Sequence, residues 1–140
     1  FNTVLWAGLA AKDDHLWTGL YSLLDEEPAI RFRRIERNTS LIADKITEEP
    51  VQRLLWFSRG YYQAERKDGK IFFNDLRFGR SDSWIDTTGS YIFVFRLMPD
   101  PENPNRVADF RQLDPFTDAD LPDLGRFWRR LKGDSEVENH

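Results

Sequence analysis

The dipeptide Asp68-Gly69 is the feature that most constrains the fold of this chain. Asp-Gly favours a two-residue turn in which both residues take positive φ, and such a turn joins two antiparallel strands. With this turn, Tyr62 stands opposite Asp75. The turn lies between two runs that carry aromatic and β-branched residues, residues 61–66 and 71–78. The sequence therefore predicts a β-hairpin with a fixed register.

Other segments have the apolar or alternating pattern of strands. A polar turn at residues 12–14 predicts that the first two of them form a second hairpin. The third alternates regularly until Arg34 and Ile35, where the pattern slips and a bulge is expected. The predicted strands are residues 4–11, 16–24, 30–37, 91–98 and 107–113.

Three segments predict helices. Thr39 or Ser40 is expected to cap a short helix, and Thr47 is expected to cap a second, with acidic residues and Pro50 in its first turn. Arg59 would lie in its last turn and Gly60 would supply a left-handed stop. An apolar stripe along residues 121–132, with arginines in its C-terminal half, predicts the last helix.

Hairpins interrupted by few helices predict an α+β fold, a mostly antiparallel sheet built from hairpins with helices packed on one face. The chain has 140 residues, the usual size of one domain. We expect a single soluble domain over residues 1–133 and a flexible tail over residues 134–140. Because its first residue is Phe rather than Met, the chain is expected to be a piece of a longer protein.

Composition excludes several classes of function. The 20 basic residues are outnumbered by 24 acidic ones, so no nucleic-acid partner is expected, because phosphate binding needs a basic face. The absence of cysteine excludes a thiolate nucleophile and a cysteine zinc site. No segment has the roughly 18 consecutive apolar residues that a transmembrane helix needs.

Histidine offers little for metal binding or catalysis. His15 follows Asp13 and Asp14 in the predicted turn, but zinc needs three or four ligands in a set geometry, and neighbours on one turn rarely converge. His140 is the last residue. We therefore predict that this chain holds no metal, no other cofactor and no catalytic residue of its own.

Asp75 and Arg77 carry the most chemistry in the sequence. Two residues apart on a strand, they project from the same face, and Gly79 is expected to end that strand. Two interpretations stand. In one, Arg77 binds an anion or a partner carboxylate and Asp75 orients it. In the other, the two belong to an ion pair or buried network with Arg59 or Tyr62, which locks the strand to the helix before it.

Four sequence blocks resemble the C-terminal part of a bacterial family, the membrane-bound predicted metal-dependent hydrolases described as LexA-regulated. The resemblance covers roughly residues 1–98, and its blocks are residues 2–6, 20–25, 55–62 and 75–79. It implies an N-terminal half of several transmembrane helices, which would be the partner of this domain. It also implies that a divalent metal is bound in that membrane half.

The resemblance implies a soluble accessory domain of a membrane hydrolase, on the cytoplasmic face of the bacterial inner membrane. The alternative is a module that binds a ligand, a lipid headgroup at the membrane surface or another protein, without catalytic activity. A stand-alone enzyme that uses carboxylates alone is the least favoured interpretation. The candidate ligand-binding residues carried over from the family blocks are Asn2, Trp6, Trp56, Arg59, Asp75 and Arg77, with Gly79 beside them.

Overall fold

A computed structural model of the protein describes residues 4–80 and 91–113. This part of the chain contains one α-helix, α1 (Glu49–Ser58), and two 3-10 turns, Thr39–Leu41 and Ala43–Lys45. Its strands are β1 (Leu5–Lys12), β2 (His15–Ser22), β3 (Arg33–Glu36), β4 (Tyr62–Lys67), β5 (Lys70–Arg80), β6 (Tyr91–Pro99) and β7 (Val107–Leu113).

The strands form two antiparallel sheets. One has the order β1-β2-β3 and the other the order β4-β5-β6-β7. The predicted hairpin is present between β4 and β5: Asp68 and Gly69 have φ of 52° and 72°, and Tyr62 stands opposite Asp75. The mostly antiparallel α+β architecture predicted from the sequence is confirmed, although the helical content is small.

The three-stranded sheet carries a trough on its outer face. Gly8 and Gly19 stand directly opposite each other on β1 and β2. A Cβ atom on Gly19 would lie 2.7 Å from the Ile30 side chain and 2.8 Å from the carbonyl oxygen of Arg31. The chain before β3 therefore lies across the glycines rather than along the sheet edge. For this reason β3 starts at Arg33, and the strand predicted over residues 30–37 is too long.

Helix α1 begins and ends one residue away from the predicted caps. Glu48, not Thr47, is the N-cap, and its carboxylate accepts a hydrogen bond from the backbone N–H of Val107 on β7. At the other end, Arg59 is already left-handed, with φ of 52°, and Gly60 follows with φ of 80°. The helix is thus tied to β7 at its start and closed by two residues of positive φ at its end.

The four-stranded sheet packs against α1 on one face and, in part, against the three-stranded sheet on the other. Because side chains alternate along β5, Phe73 and Asp75 face α1, whereas Asn74 and Leu76 face the other way. The core under α1 contains Ile42, Val51, Leu54, Tyr62, Ala64, Phe73, Phe95, Leu97 and Val107. On the opposite face, Leu76 and Tyr91 pack with Leu16 of the three-stranded sheet. Asp75 therefore lies in the layer between sheet and helix.

The two sheets are also joined along their edges. Asn38 has φ of 58°, and its side-chain amide donates a 2.9 Å hydrogen bond to the carbonyl oxygen of Ala64 on β4. The N–H of Ala64 donates in turn to the carbonyl oxygen of Arg37, also at 2.9 Å. This left-handed residue carries the chain from β3 onto the edge of β4.

Several predictions fall outside the described residues: the helix over residues 121–132, the tail over residues 134–140 and the candidate residue Asn2. None of the helical segments within residues 4–80 and 91–113 combines the length and the apolar character that crossing a bilayer requires.

Candidate functional site

The Asp75–Arg77 pair lies where β5 bulges away from β6. From Asp75 to Arg80 β5 advances five positions, while β6 advances two, from Phe93 to Tyr91. Gly79 lies inside this bulge with φ of 71°, a conformation that glycine adopts at little cost. The prediction that Gly79 ends the strand is therefore wrong, because β5 continues to Arg80 beyond the bulge.

Asp75 is fully buried, and Arg77 donates all the described hydrogen bonds that the Asp75 carboxylate accepts. Arg77 Nη2 donates to Oδ2 at 2.8 Å, Nε donates to Oδ1 at 3.2 Å, and the backbone N–H of Arg77 donates to Oδ1 at 2.9 Å. The hydrogen bond to Asp75 raises the pKa of Arg77 above its usual range. In the bulge, both the backbone N–H and the side chain of Arg77 therefore donate hydrogen bonds to the Asp75 carboxylate.

Arg77 also joins the bulge to α1. Its guanidinium carbon lies 5.0 Å from the ring centre of Phe57, on α1, and 5.0 Å from that of Phe78. The two rings are stacked with centres 6.4 Å apart. The arginine side chain is 23% exposed, and its Nη1 makes no hydrogen bond to the described residues. The ion pair thus fixes β5 to the preceding helix through aromatic contacts.

The counterpart of Asp75 is Arg77 itself rather than Arg59 or Tyr62. Arg59 is exposed beyond the end of α1, and Tyr62 stacks on Phe73 with ring centres 4.6 Å apart. Neither donates a hydrogen bond to Asp75 in the described part of the chain. The sequence identified the carboxylate and the strand–helix connection but assigned the wrong partners.

Phe57 and Phe78 contact the ion pair, and Trp56, which precedes Phe57 on α1, is exposed. We call Trp56, Phe57 and Phe78 the aromatic rim. Trp56 is 81% exposed and Phe78 is 48% exposed, large values for such side chains. Phe78 packs edge-on against Phe93, with ring centres 4.7 Å apart. The rim therefore has two members, Phe57 and Phe78, that pack together or on the sheet, and one exposed member, Trp56, that makes no ring contact with them among the described residues.

The remaining candidate residues do not join this site. Trp6 lies on β1 in the other sheet, opposite Tyr21, and no ring contact or hydrogen bond joins it to the ion pair among the described residues. Phe57 and Phe78 were missed as site residues. Each directly follows a candidate along the chain, Trp56 and Arg77 respectively, so their presence in the same sequence blocks was the available signal.

The polar turn around His15 has local partners. His15 Nε2 lies 3.1 Å from Glu36 Oε2, and Asp14 Oδ1 accepts a hydrogen bond from the backbone N–H of Thr39 at 3.2 Å. Within residues 4–80 and 91–113, no three carboxylate or imidazole side chains are grouped as they would be around a metal ion.

Comparison with known proteins gives no relative: no protein-family model, curated protein or solved structure matches this chain.

Proposed function

We propose that this chain is a non-catalytic accessory domain of a membrane-bound hydrolase of the family that its sequence resembles. In this proposal the domain lies on the cytoplasmic face of the bacterial inner membrane. It binds the transmembrane region of that hydrolase through the aromatic rim. The divalent metal and the hydrolytic residues would belong to the transmembrane region.

One observation carries the proposal. Two of the blocks on which the resemblance rests, residues 55–62 and 75–79, meet in space where Arg77 and Phe78 contact Phe57. The segments are separate along the chain but build one surface feature. Because the family resemblance includes both blocks, it extends to the surface that they form together. This surface includes exposed aromatic side chains, which often dominate the binding energy of interfaces.

The burial and the hydrogen bonds of Asp75 favour a structural role for this residue over a catalytic one. Its two carboxylate oxygens accept four contacts from Arg77 within 3.3 Å, and the side chain is fully buried. A general base must instead reach the proton that it removes from a substrate. The ion pair holds the flat guanidinium against Phe57 and Phe78, so its role is to fix the rim in position before a partner binds.

A sedimentation experiment tests this function. Purified chain is mixed with bacterial membranes that contain the transmembrane region of the parent hydrolase, and with membranes that lack it. The proposal predicts that the chain sediments only with the first. Trp56→Ser should weaken this binding by about 30-fold, because an aromatic side chain at the centre of an interface contributes about 2 kcal/mol and each change of about 1.4 kcal/mol is a factor of ten.

Phe32→Ser is the matched control. The exposed fraction of Phe32, 49%, is nearly the same as that of Phe78, but Phe32 lies over the other sheet, against Gly8. This variant should bind like the unmodified chain. Equal binding by Trp56→Ser, or no difference between the two kinds of membrane, would refute the proposed interface. Binding to plain lipid vesicles would favour the alternative, a module for the membrane surface.

A further inference from the structure

Two arginines stand side by side on the sheet face opposite α1. Arg96 on β6 and Arg111 on β7 are direct cross-strand partners. Directly opposite side chains on antiparallel strands leave the sheet on the same face, with Cβ atoms about 4.5–5.5 Å apart. Two like charges in this arrangement repel each other and destabilise the sheet unless an anion compensates them.

The described residues supply no such compensation. Within residues 4–80 and 91–113, the buried Nε of Arg96 makes no hydrogen bond, and neither arginine has an ion pair or another polar contact. Arg37 offers a contrast. Its Nε is also buried without a hydrogen bond, but its Nη1 donates to the carbonyl oxygen of Asp13 at 2.8 Å, and its guanidinium lies over the Tyr62 ring. In the part of the chain that the structure describes, Arg96 has no comparable partner.

The carboxylates on this face are engaged elsewhere. Asp109 precedes Arg111 by two positions and shares its face, but its Oδ1 accepts a 2.8 Å hydrogen bond from the N–H of Phe110. Glu65, on the far side of β5, contacts the side-chain amide of Asn74 at 3.5 Å. Among the described residues neither carboxylate forms an ion pair with Arg96 or Arg111, so no side-chain anion bridges the two guanidinium groups there.

We propose that Arg96 and Arg111 bind a phosphate group. A carboxylate has two oxygens, which one guanidinium satisfies in a bidentate pair, whereas a phosphate has enough oxygens to engage two guanidinium forks at once. Phe72 is the direct partner of Arg96 on its other side, which places an aromatic side chain in the same row across the sheet. The ligand class is therefore a phosphate monoester whose organic part lies toward Phe72.

Calorimetric titration with inorganic phosphate, at constant ionic strength set with chloride, tests the site in the whole chain. Binding to Arg111→Gln and to Arg96→Gln should be weaker by about tenfold or more, since each loses charged hydrogen bonds. Arg31→Gln is the control: it removes the same charge from an exposed position outside the four-stranded sheet and should bind normally. Equal weakening in the control, or no heat of binding in the unmodified chain, would overturn the proposal.

A second measurement does not depend on ligand. If the arginines repel each other, the phosphate-free Arg111→Gln variant should unfold at a higher urea concentration than the unmodified chain, and phosphate should remove that difference. A lower midpoint for Arg111→Gln without phosphate would contradict the inference. Arg111 is exposed, so its replacement leaves the core intact.

Two probes then identify the source of the phosphate. Glycerol 3-phosphate represents a soluble monoester, and vesicles containing phosphatidate represent a lipid headgroup. If the chain binds one of these probes and Arg111→Gln weakens that binding, the site is supported and the source of the phosphate is identified. Binding of neither would overturn it. The arginine pair and the aromatic rim lie on opposite faces of the sheet, so failure at one leaves the other untouched.

Discussion

Removing one member of the Asp75–Arg77 pair should destabilise the fold by several kcal/mol. In Arg77→Met, the fully buried Asp75 carboxylate loses the side-chain donors that hold it. Breaking a buried ion pair in this way costs about 3–5 kcal/mol. Because the Arg77 side chain is 23% exposed, water reaches the vacated position, and we expect a value near the lower end, about 3 kcal/mol.

Asp75→Asn should cost less. The asparagine keeps an oxygen that accepts the backbone N–H of Arg77 but loses the charge, and a charged hydrogen bond is worth about 1.5–3 kcal/mol. We expect about 2 kcal/mol. In the double variant the two losses overlap, since both remove the same interaction. The sum of the single effects should therefore exceed the double effect by about 1–2 kcal/mol.

Urea unfolding followed by tryptophan fluorescence gives these free energies, provided that all variants share one slope. Arg34→Met is the control, because Arg34 forms an exposed ion pair with Glu36 at 3.0 Å, and such pairs contribute about 0–1 kcal/mol. If Arg77→Met and Asp75→Asn each changed the free energy of unfolding by less than about 0.5 kcal/mol, or if their effects were additive, the structural role of the pair would be refuted.

Three further predictions follow from other parts of the chain. Gly19→Ala should lower the free energy of unfolding by about 1–3 kcal/mol, because its Cβ would clash with Ile30. Gly8→Ala should lower it less, since a Cβ there would lie 3.4 Å from the Phe32 ring, and urea midpoints compare the two variants. Burial raises the pKa of the Tyr62 phenol above its ordinary 10.0, so its stabilisation is complete below pH 10 and is lost as pH rises toward the raised pKa. Urea midpoints should accordingly fall more steeply above pH 10 in the unmodified chain than in Tyr62→Phe. Sequencing upstream of the Phe1 codon should reveal several apolar spans of about 20 residues, and a start codon immediately before it would contradict the family proposal.

The hairpin register could be predicted because turn chemistry is local. Asp68 and Gly69 tolerate positive φ, and a two-residue turn leaves only one pairing of the flanking strands. The same residue-level reasoning failed at Gly79, where glycine also takes positive φ but serves a bulge. A glycine after a strand is compatible with both outcomes, and only the pairing of β5 with β6 decides between them.

Contacts between residues distant in sequence explain the other features of the structure that the sequence did not predict. Gly8 and Gly19 are separated in sequence by a turn, and nothing local shows that Ile30 will cross them. In the candidate site, the alternation of β5 correctly placed Asp75 and Arg77 on the same side. The position of Phe57 over Arg77 depends on how α1 packs against the sheet, which no local pattern specifies.

Site-specific photo-crosslinking can locate the surface of this domain that contacts the proposed transmembrane region. A photoreactive phenylalanine analogue is placed at position 56 of the proposed full-length hydrolase, in bacterial membranes, and at position 32 as the control. We expect position 56 to form an adduct with the transmembrane region, identified by peptide mass spectrometry, and position 32 to form none. Adducts from both positions, or from neither, would contradict the assignment of the aromatic rim as the surface that binds the membrane half.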